Sequence, residues 1–161
     1  MPQQVSEGHV FTFAIVAGSH VTEEEATAVS GFDVDTIKLG AARSAYVVRE
    51  LNRLAPDFVV HLGDITHPEP GTPAYEASAA RFHTVYGDLE CPLYLVAGNH
   101  DIGEKAFIGE HLPAQQARLT VNDDMIAEYE RHFQAQYYSF EHQDCLFVVI
   151  NGMIVNSGLA S

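Results

Sequence analysis

The sequence is poor in cysteine, tryptophan and basic residues, with 2 cysteines, no tryptophan and 8 Lys+Arg among 161 residues. The two cysteines, Cys91 and Cys145, lie in no CxxC or Cys/His spacing, which argues against a disulfide framework or a structural zinc finger. We expect both to be small buried side chains on strands. The apolar stretch of residues 10–18 is too short to span a bilayer and has no basic flank, so we predict a cytoplasmic protein with no membrane partner.

Acidic residues outnumber basic ones, because 22 Asp+Glu against 8 Lys+Arg give a formal net charge of −14. Each carboxylate repels phosphate, and so few basic residues release few counterions, which argues against nucleic acid as a partner. A chain with this charge needs bound cations if it acts on phosphate.

Apolar segments of strand length alternate with segments of helical periodicity. Hydrophobic residues make up 47% of the chain, enough for the core of one globular domain. The predicted strands are residues 10–17, buried on both faces, 58–62 and 93–97, and the predicted helices are residues 38–55, 74–86 and 123–134. Residues 137–140 and 145–150 are predicted to form a β-hairpin, residues 26–29 a short helical turn, and residues 102–122 a surface excursion. This order predicts βαβ units and an α/β fold with a mixed, largely parallel sheet and flanking helices.

Glycine-bearing turns with polar side chains follow the three predicted strands. The turns are Gly18-Ser19-His20, Gly63-Asp64 and Gly98-Asn99-His100-Asp101. Because the carboxyl ends of parallel strands meet at one edge of a sheet, we expect a site there rich in oxygen and nitrogen donors, of the kind that binds divalent Mn, Fe, Zn or Mg. No GxGxxG or GxxxxGK motif is present, which argues against a nucleotide-binding module.

The three turns resemble the first three motifs of the calcineurin-like metallophosphoesterases, DxH, GDxx and GNH(D/E). Residues 137–140, Tyr-Tyr-Ser-Phe, are similar to the family's later hairpin. The resemblance implies a sandwich of two packed sheets flanked by helices. It covers about the first half of a family domain, so we expect residues 1–161 to form a single domain that ends before the family's C-terminal histidine motifs.

The resemblance also implies a role for each matching residue. Asp64 would bridge two divalent metal ions, His20 would bind the first ion and Asn99 the second. His100 would protonate the leaving group, and Asp101 would orient its ring. The implied reaction is hydrolysis of a small phosphomonoester or phosphodiester by a metal-activated hydroxide.

Two departures from the family's pattern bear on activity. Gly18 stands where the family has its first aspartate, and three ligand histidines of the family lie beyond the motifs that match. We therefore expect weak or single-metal binding by this chain, and apolar sheet surface that promotes self-association or needs a completing chain. An alternative is a degenerate, non-catalytic scaffold used for binding or assembly.

Structural roles compete with these functional ones. Asp64 could only cap its turn, Asn99 could be an ordinary turn residue, and His20 could be a hydrogen-bonded surface group. His61, inside a predicted strand, is expected to be a core histidine with its hydrogen bonds satisfied. His67, three residues past Asp64, could line the substrate pocket, but we expect a solvated loop residue.

Overall fold

The computed structural model describes residues 10–23, 39–105, 120–155 and 157–159. The strands are Phe13–Val16 (β1), Phe58–His61 (β2), Leu93–Leu95 (β3), Tyr138–His142 (β4) and Cys145–Val149 (β5). The helices are Gly40–Leu54 (α1), Tyr75–Tyr86 (α2), Asn99–Ile102 (α3) and Asp123–His132 (α4). The three long predicted helices and all predicted strands are thus confirmed. The predicted helical turn at 26–29, and residues 106–119 of the predicted excursion, lie outside the described residues.

The three strands that carry the turn motifs form one parallel sheet in the order β1-β2-β3. Phe13 lies opposite Phe58, and Val60 lies opposite Tyr94. Strands β4 and β5 form a separate antiparallel hairpin. The predicted α/β class is confirmed, and its antiparallel part is this hairpin.

One face of the sheet packs against helices. Val59 and His61 of β2 are both 0% exposed, and the ring of His61 contacts Phe82 and Tyr86 of α2. Because side chains alternate along a strand, Val59 shares this face with His61. The cluster of buried apolar residues draws on α1, α2, β3, α3 and α4 and comprises Val21, Val48, Ile65, Phe82, Val85, Tyr86, Leu95, Ala97, Ile102, Val121, Ile126 and Tyr129.

The opposite face of the sheet is covered by the hairpin through aromatic side chains. Phe58, 1% exposed, lies with its ring centroid 5.5 Å from that of Phe140 and 5.1 Å from that of Phe147. Phe13 stacks on Phe58 at 5.1 Å, and Tyr94 stacks on Phe140 at 3.4 Å. The parallel sheet is therefore held between a helical layer and a two-stranded layer.

The predicted burial of β1 on both faces is wrong. Ile15 is 58% exposed, because β1 is the edge strand of the described sheet and the hairpin rings contact Phe13 but leave Ile15 open. The burial of the cysteines is also wrong: Cys91 is half-buried and precedes β3, and Cys145 is exposed at the hairpin turn where β5 begins.

Apolar side chains on the outer face of the hairpin are left open to solvent. Leu146 and Val148 of β5 are each 64% exposed. The expected apolar sheet surface is therefore present in the described residues, whereas self-association stays a prediction. No helix of the described residues combines the length and apolar character that crossing a membrane requires.

We expect Phe82→Ala to lower the free energy of unfolding by about 3–5 kcal/mol, because Phe82 is 1% exposed and stacks on Tyr86 at 4.4 Å. Leu54→Ala is the matched control: Leu54 is 59% exposed, so its loss should change stability by less than about 0.5 kcal/mol. Urea unfolding followed by circular dichroism measures both. Similar costs for the two variants would contradict the packing of α2 against the sheet.

Candidate metal site

Backbone hydrogen bonds hold the first two turns side by side. The amide of Gly18 donates to the carbonyl oxygen of Gly63, and the amide of His20 donates to that of Asp64, both at 3.0 Å. Val21 and Thr66 then form a parallel bridge just beyond the sheet. The β1–β2 pairing therefore continues past the strand ends and places His20 beside Asp64.

The second and third turns touch through glycine. A Cβ atom on Gly63 would run into the backbone of Gly98, and a Cβ atom on Gly98 would run into Asp64. Gly63 also has φ +94, a left-handed conformation that side chains disfavour. The glycines of these two motifs therefore permit the backbone contact that brings Asp64 to the third turn.

Asp64 lies at the centre of the three turns. Its Oδ1 accepts a hydrogen bond from the backbone N–H of His100 at 3.1 Å, and its Oδ2 lies 3.8 Å from Nε2 of His20. Asp64 has φ 54 and His20 has φ 42, both uncommon for residues other than glycine. Positive φ at non-glycine residues is frequent at functional sites, where the surrounding structure holds the strained backbone in place.

His100 is paired with a carboxylate that the sequence interpretation did not identify. Its Nδ1 lies 3.2 Å from Oε1 of Glu69, and each of the two side chains is 14% exposed. The hydrogen bond that His100 donates to Glu69 raises the pKa of His100 above its usual range despite the opposing effect of burial. For Glu69, burial works to raise the pKa, but the hydrogen bond with His100 and other contributions outweigh it and lower the pKa. The pair therefore favours an imidazolium facing a carboxylate.

Asp101 binds the backbone of the second and third turns. Its fully buried carboxylate accepts hydrogen bonds from the backbone amides of Gly98 and Ile65, both at 2.8 Å, and of Thr66 at 3.5 Å. Burial raises its pKa to about 6, although these amide hydrogen bonds act to lower it. Asp101 thus fastens the third turn to the second, and its predicted role in orienting His100 stays a prediction.

Asn99 begins α3 next to His100. Its Nδ2 donates to Oε1 of Glu104 at 2.6 Å, so its carbonyl oxygen is the atom suited to a metal ion. His20, Asp64, Asn99 and His100 are thus brought to one edge of the sheet, as the motifs predicted. Their roles as ligands and acid stay predictions.

His67 lies inside the site rather than in solvent. It is 2% exposed, and its ring centroid lies 6.2 Å from that of His20 and 5.6 Å from that of His100. One ring nitrogen from each of these three histidines lies within 4.8 Å of the others. Imidazole nitrogens with a nearby carboxylate, that of Asp64, are a donor set that fits a divalent transition metal. The sequence signal for His67 was its position three residues after Asp64.

His61 is the satisfied core histidine that was predicted. Its Nδ1 accepts a hydrogen bond from the amide of Gly63 at 3.2 Å, so in the neutral ring Nε2 carries the proton and donates to Oγ of Ser19 at 2.6 Å. Oγ of Ser19 lies 2.7 Å from the hydroxyl oxygen of Tyr86. Burial lowers the pKa of His61 to about 4, which keeps the ring neutral. This hydrogen-bond chain fixes the turn that carries His20, and sequence reasoning missed the parts of Ser19 and Tyr86.

The chain belongs to the calcineurin-like phosphoesterases, since the model of that family matches residues 19–155. It is 31% identical over 112 residues to a bovine (Bos taurus) protein named serine/threonine-protein phosphatase CPPED1, covering 67% of this chain and 31% of that protein. The human (Homo sapiens) protein of that name is 32% identical over 108 residues, covering 65% of this chain and 30% of that protein. The chain therefore spans about a third of the length of these relatives.

We expect Asp101→Ala to lower the free energy of unfolding by about 3 kcal/mol, because it leaves the buried amide of Ile65 and the half-buried amide of Gly98 without this acceptor. Asp101→Asn is the control that keeps one carbonyl acceptor and should lose about half as much. Urea unfolding at pH 7 measures both. Equal stability of Asp101→Ala and the unchanged chain would show that this carboxylate does not hold the turns together.

Proposed function

We propose that the chain hydrolyses phosphoesters with the help of divalent metal ions. The observation that carries this proposal is the meeting of His20, Asp64 and His100 at one sheet edge, with Asp64 contacting the other two. Membership of the calcineurin-like phosphoesterase family supports it. The net charge of −14 would repel a phosphate group, so bound cations are also an electrostatic need.

In this proposal His20, Asp64 and Asn99 hold the metal ions. When bound, the ions supply an activated hydroxide and compensate charge on the phosphoryl oxygens. His100 donates a proton to the departing oxygen, and Glu69, 3.2 Å from Nδ1 of His100, favours the protonated ring that this step requires. The positive ring also attracts the anionic substrate.

The name of the relatives favours a phosphomonoester as the substrate, since both are called serine/threonine-protein phosphatase. A phosphodiester is the other substrate that the same chemistry allows. Comparing an aryl phosphomonoester with an aryl phosphodiester separates the two.

A non-catalytic scaffold is the second candidate. It is favoured by Gly18, which offers no side-chain ligand at the turn next to His20. Such a protein would keep the fold and the turn contacts but would bind metal weakly and hydrolyse neither ester.

We expect Asp64→Ala to lower Mn²⁺-dependent hydrolysis of p-nitrophenyl phosphate by at least about a hundredfold, because it removes the carboxylate at the centre of the site. Asp88→Ala is the matched control, since Asp88 is exposed just beyond the C-terminal end of α2. Initial rates with and without Mn²⁺ measure the effect. Metal-dependent activity that survives in Asp64→Ala would refute the assigned role, and an inactive unchanged chain would favour the scaffold.

We expect Gly18→Asp to tighten Mn²⁺ binding by about tenfold, because it adds a carboxylate where a Cβ atom meets nothing within 4 Å. Gly18 has φ +64, so the side chain should cost about 1 kcal/mol of stability. Gly18→Asn has the same backbone cost without the charge and should leave the affinity unchanged. Isothermal titration with Mn²⁺ compares the two, and equal affinities would show that position 18 does not face the metal.

A further inference from the structure

We propose that His67 is a metal ligand in this chain, acting beside His20 and Asp64. The motifs that define the family do not point to this residue. The inference rests on the proposed function only in that it concerns the same site.

The backbone holds His67 on both sides. Its amide donates to the carbonyl oxygen of Val21 at 2.9 Å, and its own carbonyl oxygen accepts a hydrogen bond from Oγ of Ser78, also at 2.9 Å. Val21 and Ser78 are both 0% exposed. Because Val21 directly follows His20, this backbone pairing also fixes the spacing between His20 and His67.

The ring nitrogens are near enough for one ion. Those of His20, His67 and His100 lie within 4.8 Å of one another. Two nitrogens that bind one tetrahedral ion at about 2.0–2.1 Å lie roughly 3.4 Å apart, so small side-chain rotations bring His20 and His67 to binding distance.

His100 and His20 each face a different carboxylate. Nδ1 of His100 faces Glu69, whereas Nε2 of His20 faces Oδ2 of Asp64 at 3.8 Å. His20, His67 and Asp64 together form a set of two imidazoles and one carboxylate. Such a set with an open position for water or substrate is typical of catalytic transition-metal sites. His67 would thus supply a donor that the first turn, with Gly18, lacks.

The test uses Co²⁺ and Zn²⁺ with the 161-residue chain. Co²⁺ is titrated into the unchanged chain, His67→Ala and His67→Gln, and its visible absorption reports affinity and geometry. His83→Ala is the matched control, because His83 is an exposed histidine on α2. We expect both His67 variants to bind Co²⁺ at least about tenfold more weakly, and His83→Ala to change the affinity less than about twofold.

X-ray absorption of the Zn²⁺-loaded unchanged chain gives a readout that needs no variant. At least two imidazole ligands per zinc ion are expected, and one or none would overturn the proposal whether or not the variants fold. The proposal would also be overturned if folded His67→Ala bound Co²⁺ with the affinity and spectrum of the original chain. Failure of the original chain to bind Co²⁺ at millimolar concentration would overturn it too.

Failure of this inference and failure of the proposed function are distinguishable. If hydrolysis depends on Asp64 but Co²⁺ binding does not depend on His67, the ligand role of His67 is refuted and the proposed function stands. If Co²⁺ binding depends on His67 but the chain hydrolyses neither ester, the ligand role of His67 stands and the proposed function is refuted.

Discussion

The candidate site depends on contact between the backbones of the second and third strand-end turns. Glycine at positions 63 and 98 permits this contact, because a Cβ atom at either position would collide with the other turn. The buried carboxylate of Asp101 reinforces it by accepting amide hydrogen bonds from both turns. Asp64 reaches the amide of His100 only because the two turns are this close. The second and third turns are therefore joined by the protein's own backbone and side-chain contacts.

The apolar layers on the two faces of the sheet position this edge. Helix α2 contributes Phe82 to the helical core and Tyr86 to the hydrogen-bond chain that runs through Ser19 to His61. Phe58 fixes the other face of the same strand against the hairpin. Because β2 is the central strand, packing on both of its faces holds the turn that carries Asp64.

Electrostatics links the site to its proposed chemistry. The chain has a net charge of −14, yet the site brings one ring nitrogen from each of three histidines within 4.8 Å of the others. Among the described residues, Asp64 lies beside His20 and Glu69 beside His100. Imidazole nitrogens suit a transition metal better than Ca²⁺ or Mg²⁺, which prefer oxygen ligands.

The sequence by itself determined the order of strands and helices and the turns that meet at the sheet edge, because side-chain periodicity and strand-end glycines are local signals. It also identified His61 as a satisfied core residue. Only the tertiary structure decided which side chains share the site. His67 is buried there, Glu69 contacts His100, and Ile15 is exposed. These outcomes depend on the path of the loop after Asp64 and on which layer covers each strand. The loop path and the covering layer arise from contacts between segments that are distant in sequence, and local sequence patterns do not encode such contacts.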